Sequence, residues 1–147
     1  MRMDLKRSTR IMLGITLISL PSVMYGGTFV LRVLTGTFND LQLVGLQPAF
    51  FRAGHGHAGV LLLLTLIAQT LSDRASLSDA LRWFVMVAAP TGTLLVSGGF
   101  FFSVINESGL PNGLISLIYI GAITMAAALV TLAVGLIRKP QEAQAKA

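Results

Sequence analysis

The chain has 147 residues, of which 54% are hydrophobic and 12% are charged. Soluble domains usually carry about 25% charged residues, and the apolar residues here are gathered into long runs, which argues against a soluble core. The net charge of +5 does not indicate nucleic-acid binding, because the basic residues flank these runs instead of forming a stripe with interleaved aromatics. With no cysteine in the chain, disulfides and thiolate metal sites are excluded.

Four apolar runs are long enough to cross a bilayer as helices. A hydrocarbon core about 30 Å thick needs about 20 helical residues, and the runs cover residues 11–33, 48–71, 81–105 and 114–137. Helices are preferred to a β-barrel because the runs are too long and lack alternation with a period of two. The sequence therefore predicts one all-α domain over residues 1–147, a four-helix transmembrane bundle with a flexible tail at about 140–147.

Local signals refine these predicted helices. Pro21 in the first run and Pro90 in the third predict kinks, because proline removes a backbone donor and clashes with the preceding turn. Ser76 and Asp79 stand three residues apart before the third run, in the manner of a capping box, which predicts an N-cap at Ser76. The phenylalanines at 100–102 are interpreted as a lipid-facing or packing surface.

The basic residues predict the orientation of the chain. Nine of them fall on the side of the two termini, and only Arg32 and Arg52 fall on the other side. Those nine are Arg2, Lys6, Arg7, Arg10, Arg74, Arg82, Arg138, Lys139 and Lys146. Cytoplasmic connections carry an excess of Lys and Arg, so both termini are predicted to be cytoplasmic.

Both histidines lie in residues 51–59, FRAGHGHAG, early in the second run. Ionisable residues at membrane depth are costly and tend to be functional. On a helix, residues two apart point about 200° apart, so His55 and His57 cannot bind one metal ion together unless the helix unwinds. Glu107 could supply an oxygen ligand on this side or pair with Arg52.

This pattern has two main interpretations, and movement of protons or ions is a third. The functional one is a haem, metal or quinone site near the outer surface that uses His55 or His57 with Arg52 nearby, and a metal ion would add Glu107. Haem iron takes axial His or Met ligands, so Met24 or Met86 could be a second ligand. The alternative is packing, because the small residues at 53, 54, 56, 58 and 59 let helices approach closely.

Residues 51–60, FRAGHGHAGV, together with residues 97–101, SGGFF, resemble an uncharacterised group of small bacterial four-span membrane proteins. That resemblance implies a bacterial cytoplasmic membrane and supplies no activity. The helix with His-x-His is also similar to histidine-bearing helices of haem-binding membrane subunits. Those subunits usually supply further ligands from other helices, which this sequence lacks.

The sequence thus predicts a small integral membrane protein whose first interpretation is a non-enzymatic one; no Ser-His-Asp set is evident. It would be an accessory or structural subunit, with the lipid bilayer, other membrane subunits or further copies of itself as partners. A haem- or metal-binding electron-transfer component using His55 or His57 is the first alternative. A small transporter or channel is the second, and the lack of charges deep in three of the spans counts against proton coupling.

Overall fold

A computed structural model describes residues 5–37 and 42–138 of the chain. It contains four long helices and, within those ranges, no strand. The helices are α1 (Arg7–Leu34), α2 (Gln47–Ser72), α3 (Asp79–Ser103) and α4 (Ser116–Ile137), the last preceded by one 3₁₀ turn at Gly113–Ile115. Each is long and apolar enough to cross a membrane, and the all-helical prediction is confirmed for the described residues. The predicted tail at 140–147 lies outside the described residues.

The helices are arranged as an open row. Each packs on the next one in the chain, whereas α1 scarcely touches α3, α2 scarcely touches α4, and the described residues of α1 and α4 share no contact. Helix α3, which takes part in the two most extensive helix contacts, with α4 and with α2, is the most buried of the four, and α1 is the least buried. We call the end with the start of α1 and the α2–α3 connection the proximal end, and the opposite end the distal end.

Glycines bring the backbones of α3 and α4 into contact. A Cβ atom added at Gly121 would lie 2.7 Å from the backbone nitrogen of Val96, and one at Gly92 would lie 2.9 Å from the carbonyl oxygen of Gly121. A Cβ at Gly99 would lie 2.7 Å from Cγ1 of Ile118. Small residues at these positions therefore permit the close approach on which this helix pair depends.

Two details of α1 and α3 bear on the sequence predictions. Each helix runs without interruption through its proline, Pro21 or Pro90, and the predicted kinks stay predictions. The predicted N-cap was wrong: the cap of α3 is Ser78, whose hydroxyl accepts a hydrogen bond from Leu81 N at 3.4 Å. Ser76 is held instead by the end of α4, because its backbone N–H donates to Gly135 O at 2.7 Å.

A buried ion pair at the proximal end anchors the start of α1. Asp73 and Arg82 have side chains only 8% exposed, with Nη1 of Arg82 3.5 Å from Oδ1 of Asp73. The Thr9 hydroxyl donates to the same Oδ1 at 2.9 Å, and the backbone N–H of Lys6 donates to Oδ2 at 2.9 Å. The Asp73 carboxylate thus joins α1, the end of α2 and the first turn of α3.

Buried polar contacts continue from this anchor towards the middle of the helices. The Thr16 hydroxyl lies 3.0 Å from Oε1 of Gln69, which joins α1 to α2. The hydroxyls of Thr65 and Thr93 lie 3.0 Å apart and join α2 to α3. Buried polar groups need hydrogen-bond partners, so these contacts set how the first three helices align along their length.

We expect Asp73→Asn to destabilise the fold strongly. The substitution keeps the shape of the side chain but removes the buried counter-ion of Arg82, which is then left with an exposed one, Asp79, whose Oδ1 lies 3.6 Å from its Nε. Removing one partner of a buried ion pair typically costs about 3–5 kcal/mol. The free energy of unfolding of the detergent-solubilised chain, followed by helical circular dichroism, measures the effect. Asp79→Asn is the matched control, because the Asp79 carboxylate is solvent-exposed; equal losses in the two variants would contradict the anchoring role of Asp73.

Candidate functional site

The two histidines occupy different faces of an unbroken helix. Helix α2 is continuous from Gln47 to Ser72 in spite of its three glycines. The His55 ring lies against α1 at Gly27, whereas the His57 ring lies against α3 at Phe100. The helix is not unwound between them, so the condition for joint binding of one metal ion is not met.

His55 rests on the backbone of α1. A Cβ atom added at Gly27 would lie 2.7 Å from Nε2 of this imidazole and 2.9 Å from Cε1. The neighbouring Gly26 faces open space, because a Cβ there meets no atom within 4 Å. The His55 ring is half-buried. It can lie between the two helices because Gly27 has no side chain to occupy that space.

His57 is held in a defined orientation. Its Nδ1 lies 2.8 Å from the carbonyl oxygen of Ala53, one turn earlier in the same helix. Its ring stacks on Phe100 with centroids 4.8 Å apart and an interplanar angle of 28°. A carbonyl oxygen only accepts hydrogen bonds, so this contact assigns a proton to Nδ1 and leaves a lone pair on Nε2 of the neutral ring.

The Nε2 atom of His57 has no hydrogen-bond partner among residues 5–37 and 42–138. Metal-ligating histidines typically donate the N–H of their other ring nitrogen to a carbonyl or carboxylate, which fixes tautomer and ring orientation. The contact between His57 and Ala53 is of that kind. Nε2 of His57 is therefore held in a fixed orientation and is available to accept a hydrogen bond or to bind a metal.

An apolar groove of about 320 Å³ begins at His57. Helices α2, α3 and α4 form it, and His57 is the one polar side chain among its described lining residues. The others are Leu61, Leu64, Val96, Phe100, Ile118, Ala122, Met125, Ala126 and Leu129. This volume is at the lower end of the range for ligand pockets, about 300–1,000 Å³, and the weak contact between α2 and α4 leaves the groove open at the side.

The remaining predicted site residues lie apart from this groove. Arg52 is exposed, and its Nε donates to Pro48 O at 3.1 Å on the same helix. Glu107 lies in the connection after α3, and no ion pair joins it to Arg52 in the described part of the chain. Met24 is 71% exposed on α1, while Met86 lies at the proximal anchor, with its sulfur 3.3 Å from Arg82 Nη1.

A site for a lone metal ion is not assembled in the described residues. Across residues 5–37 and 42–138 there is no group of three or more His, Cys, Asp or Glu side chains that could hold a metal ion. The three predicted ligands, His55, His57 and Glu107, therefore do not form such a group. Zinc sites in proteins use three or four protein ligands.

Two residues that complete the surroundings of the histidines escaped sequence reasoning. Gly27 supports His55 from α1, and Phe100 supports His57 from α3. The signals were present as the pair Gly26-Gly27 and the three phenylalanines at 100–102, but neither pattern indicates which helix it faces.

Comparisons of the chain with protein-family models, curated proteins and solved structures find no match.

We expect Gly27→Ala to move the His55 ring, because the added methyl would overlap Nε2 in its present position. The chain has two histidines, so the ring signals of a ¹⁵N-histidine-labelled sample are few enough to assign. The His55 signals should shift while those of His57 stay in place. Gly26→Ala is the matched control and should shift neither; a spectrum of Gly27→Ala identical to that of the unsubstituted protein would contradict the contact.

Proposed function

We propose that this chain is a small, non-enzymatic membrane subunit that holds a haem through Nε2 of His57. One observation carries the proposal: the ring is fixed by Ala53 and Phe100, and its free nitrogen stands at the head of an apolar groove. Haem iron is commonly held by a single proximal histidine in this manner. When bound, the group would supply one-electron transfer, and the chain would supply its position and apolar surroundings.

The number of available donor atoms favours haem over a lone metal ion. A zinc ion needs three or four protein ligands, whereas haem brings its own four ring nitrogens and requires one or two from the protein. Among the described residues, only His57 offers a free, oriented nitrogen beside the groove. The bare metal site predicted from His55, His57 and Glu107 lacks comparable support.

The groove suits a flat lipophilic group. Its walls are aliphatic and aromatic, and small residues such as Ala122 and Ala126 leave room beside the larger side chains. His57 comes ten residues after Gln47, which places it about 15 Å along the helix axis from the distal end of α2. A second axial ligand would come from another copy of the chain or a partner subunit, in keeping with an accessory role.

We also propose a bacterial cytoplasmic membrane with both termini in the cytoplasm. The support is the nine-to-two distribution of Lys and Arg between the two sides of the chain. The proximal end would then be the cytoplasmic one, and His57 would lie in the outer half of the membrane. A small transporter or channel stays a prediction, because no specific contact in the described residues favours it.

The haem proposal predicts a specific difference between two histidine variants. The chain purified in mild detergent should show a Soret band, and pyridine haemochrome analysis should give stoichiometric haem. His57→Ala should lose the band because the ligating nitrogen is gone, whereas the matched His55→Ala should keep it. A colourless chain that still takes up no haemin, equal loss in both variants, or extraction of a quinone in place of haem would each overturn the proposal.

The orientation can be tested with single cysteines, since the chain has none of its own. Ala80→Cys lies in the exposed first turn of α3 at the proximal end, and Ser108→Cys lies in the exposed distal connection. In intact cells, a membrane-impermeant maleimide should label Cys at 108 and should label Cys at 80 only after permeabilisation. The reverse pattern would place the termini outside.

A further inference from the structure

We infer that a second cavity, at the distal end, binds organic cations with an apolar body. The cavity has a volume of about 760 Å³ and lies between α1, the chain before α2, α2 itself and the end of α3. Its lining includes four phenylalanines and one carboxylate: Phe29, Phe51, Phe101, Phe102 and Glu107. This inference does not depend on haem binding, since His57 does not line the cavity.

The phenylalanines come from three helices and give the cavity an aromatic wall. Phe51 of α2 is only 8% exposed, and its ring centroid lies 5.4 Å from that of Phe101 on α3. Phe102 is 57% exposed and stands towards the open side. Aromatic rings attract cations through the negative potential of their faces, and this attraction increases when the cation is desolvated.

Two amides in the lining are already engaged. Nε2 of Gln47 donates to Val104 O at 2.9 Å and to Asn106 O at 3.0 Å, while its Oε1 accepts from Val44 N at 2.9 Å. Asn106 donates to Leu110 O at 2.8 Å and accepts from the Ser108 hydroxyl at 2.7 Å. The amides of Gln47 and Asn106 thus connect the segments that line the cavity, and they have few hydrogen-bonding groups left for a ligand.

Glu107 is the charged group that remains. Its carboxylate is exposed and forms no ion pair with any described residue. A negative charge beside an apolar, aromatic cavity repels anions and favours a cation. Inorganic cations fit poorly, because calcium takes six to eight oxygen ligands. The described lining offers only the Glu107 carboxylate and the Gln42 amide besides the engaged amides of Gln47 and Asn106.

The distal connections frame the cavity with fixed backbone. Leu46 N donates to Gly109 O at 3.0 Å, and both Gly45 and Gly109 have positive φ, at 54° and 63°. A Cβ at Gly109 would overlap the carbonyl oxygen of Val44, so the two connections touch where only glycine fits. A site formed in advance loses less entropy when a ligand binds.

The probe for this site is tetraphenylphosphonium, a lipophilic cation with an apolar surface. Equilibrium dialysis against the full chain in nanodiscs of zwitterionic lipid, with empty nanodiscs subtracted, should show saturable binding. Glu107→Gln should weaken that binding by about tenfold or more, because it removes the charge at the site. Phe102→Ala should weaken it as well, because it removes part of the aromatic wall.

Three controls decide the outcome. Glu142→Gln makes the same charge change elsewhere in the chain and should bind as the unsubstituted protein does. His57→Ala should also retain binding, which separates this site from the haem groove. Tetraphenylborate, an anion of matching shape, should not bind saturably; equal binding of the two ions, or unchanged affinity in Glu107→Gln, would overturn the inference.

Discussion

A buried charge is costly unless it is paired and hydrogen-bonded within the protein. The fold of this chain depends on how that requirement is met at the proximal end. Asp73 and Arg82 are nearly fully buried, and each of them also contacts the first turn of α1. Helix α1 packs on α2 and on little else, so the hydrogen bonds that the Asp73 carboxylate accepts from the start of α1 are the main polar contacts that hold α1 in place. Thr16 and Gln69 extend the connection deeper.

Helices α3 and α4 are held together by close packing of their surfaces. Helices α3 and α4 meet through Gly92, Gly99 and Gly121, where a side chain on either helix would collide with the backbone or side chains of its neighbour. Between membrane helices the apolar driving force is weak, so close contact of this kind supplies much of the attraction. In the open row, buried polar contacts therefore hold α1 in place, whereas close packing at glycines holds α4 against α3.

The two candidate sites follow from this arrangement. Because α2 touches α4 only slightly, a groove remains between them, and His57 stands at its head. At the distal end, Phe29 of α1, Phe51 of α2 and Phe101 of α3 line the second cavity. In each place one polar group has no protein partner in the described residues: Nε2 of His57 in the groove, and the Glu107 carboxylate at the cavity.

Composition and periodicity alone determined that the chain has four helices, and approximately where each begins and ends, because hydrocarbon thickness dictates the length of an apolar run. Helical geometry by itself also predicted that the side chains of His55 and His57 point in different directions. Which helix each ring meets depended on packing, so Gly27 and Phe100 could not be assigned in advance. Arg82 was predicted only as one of the basic residues on the side of the termini, and its partner Asp73 was not singled out. Thr65 and Gln69 of α2 and its C-cap residue Asp73 nevertheless recur every four residues along one stripe. Only the tertiary structure shows this stripe buried, because burial depends on which face a neighbouring helix covers.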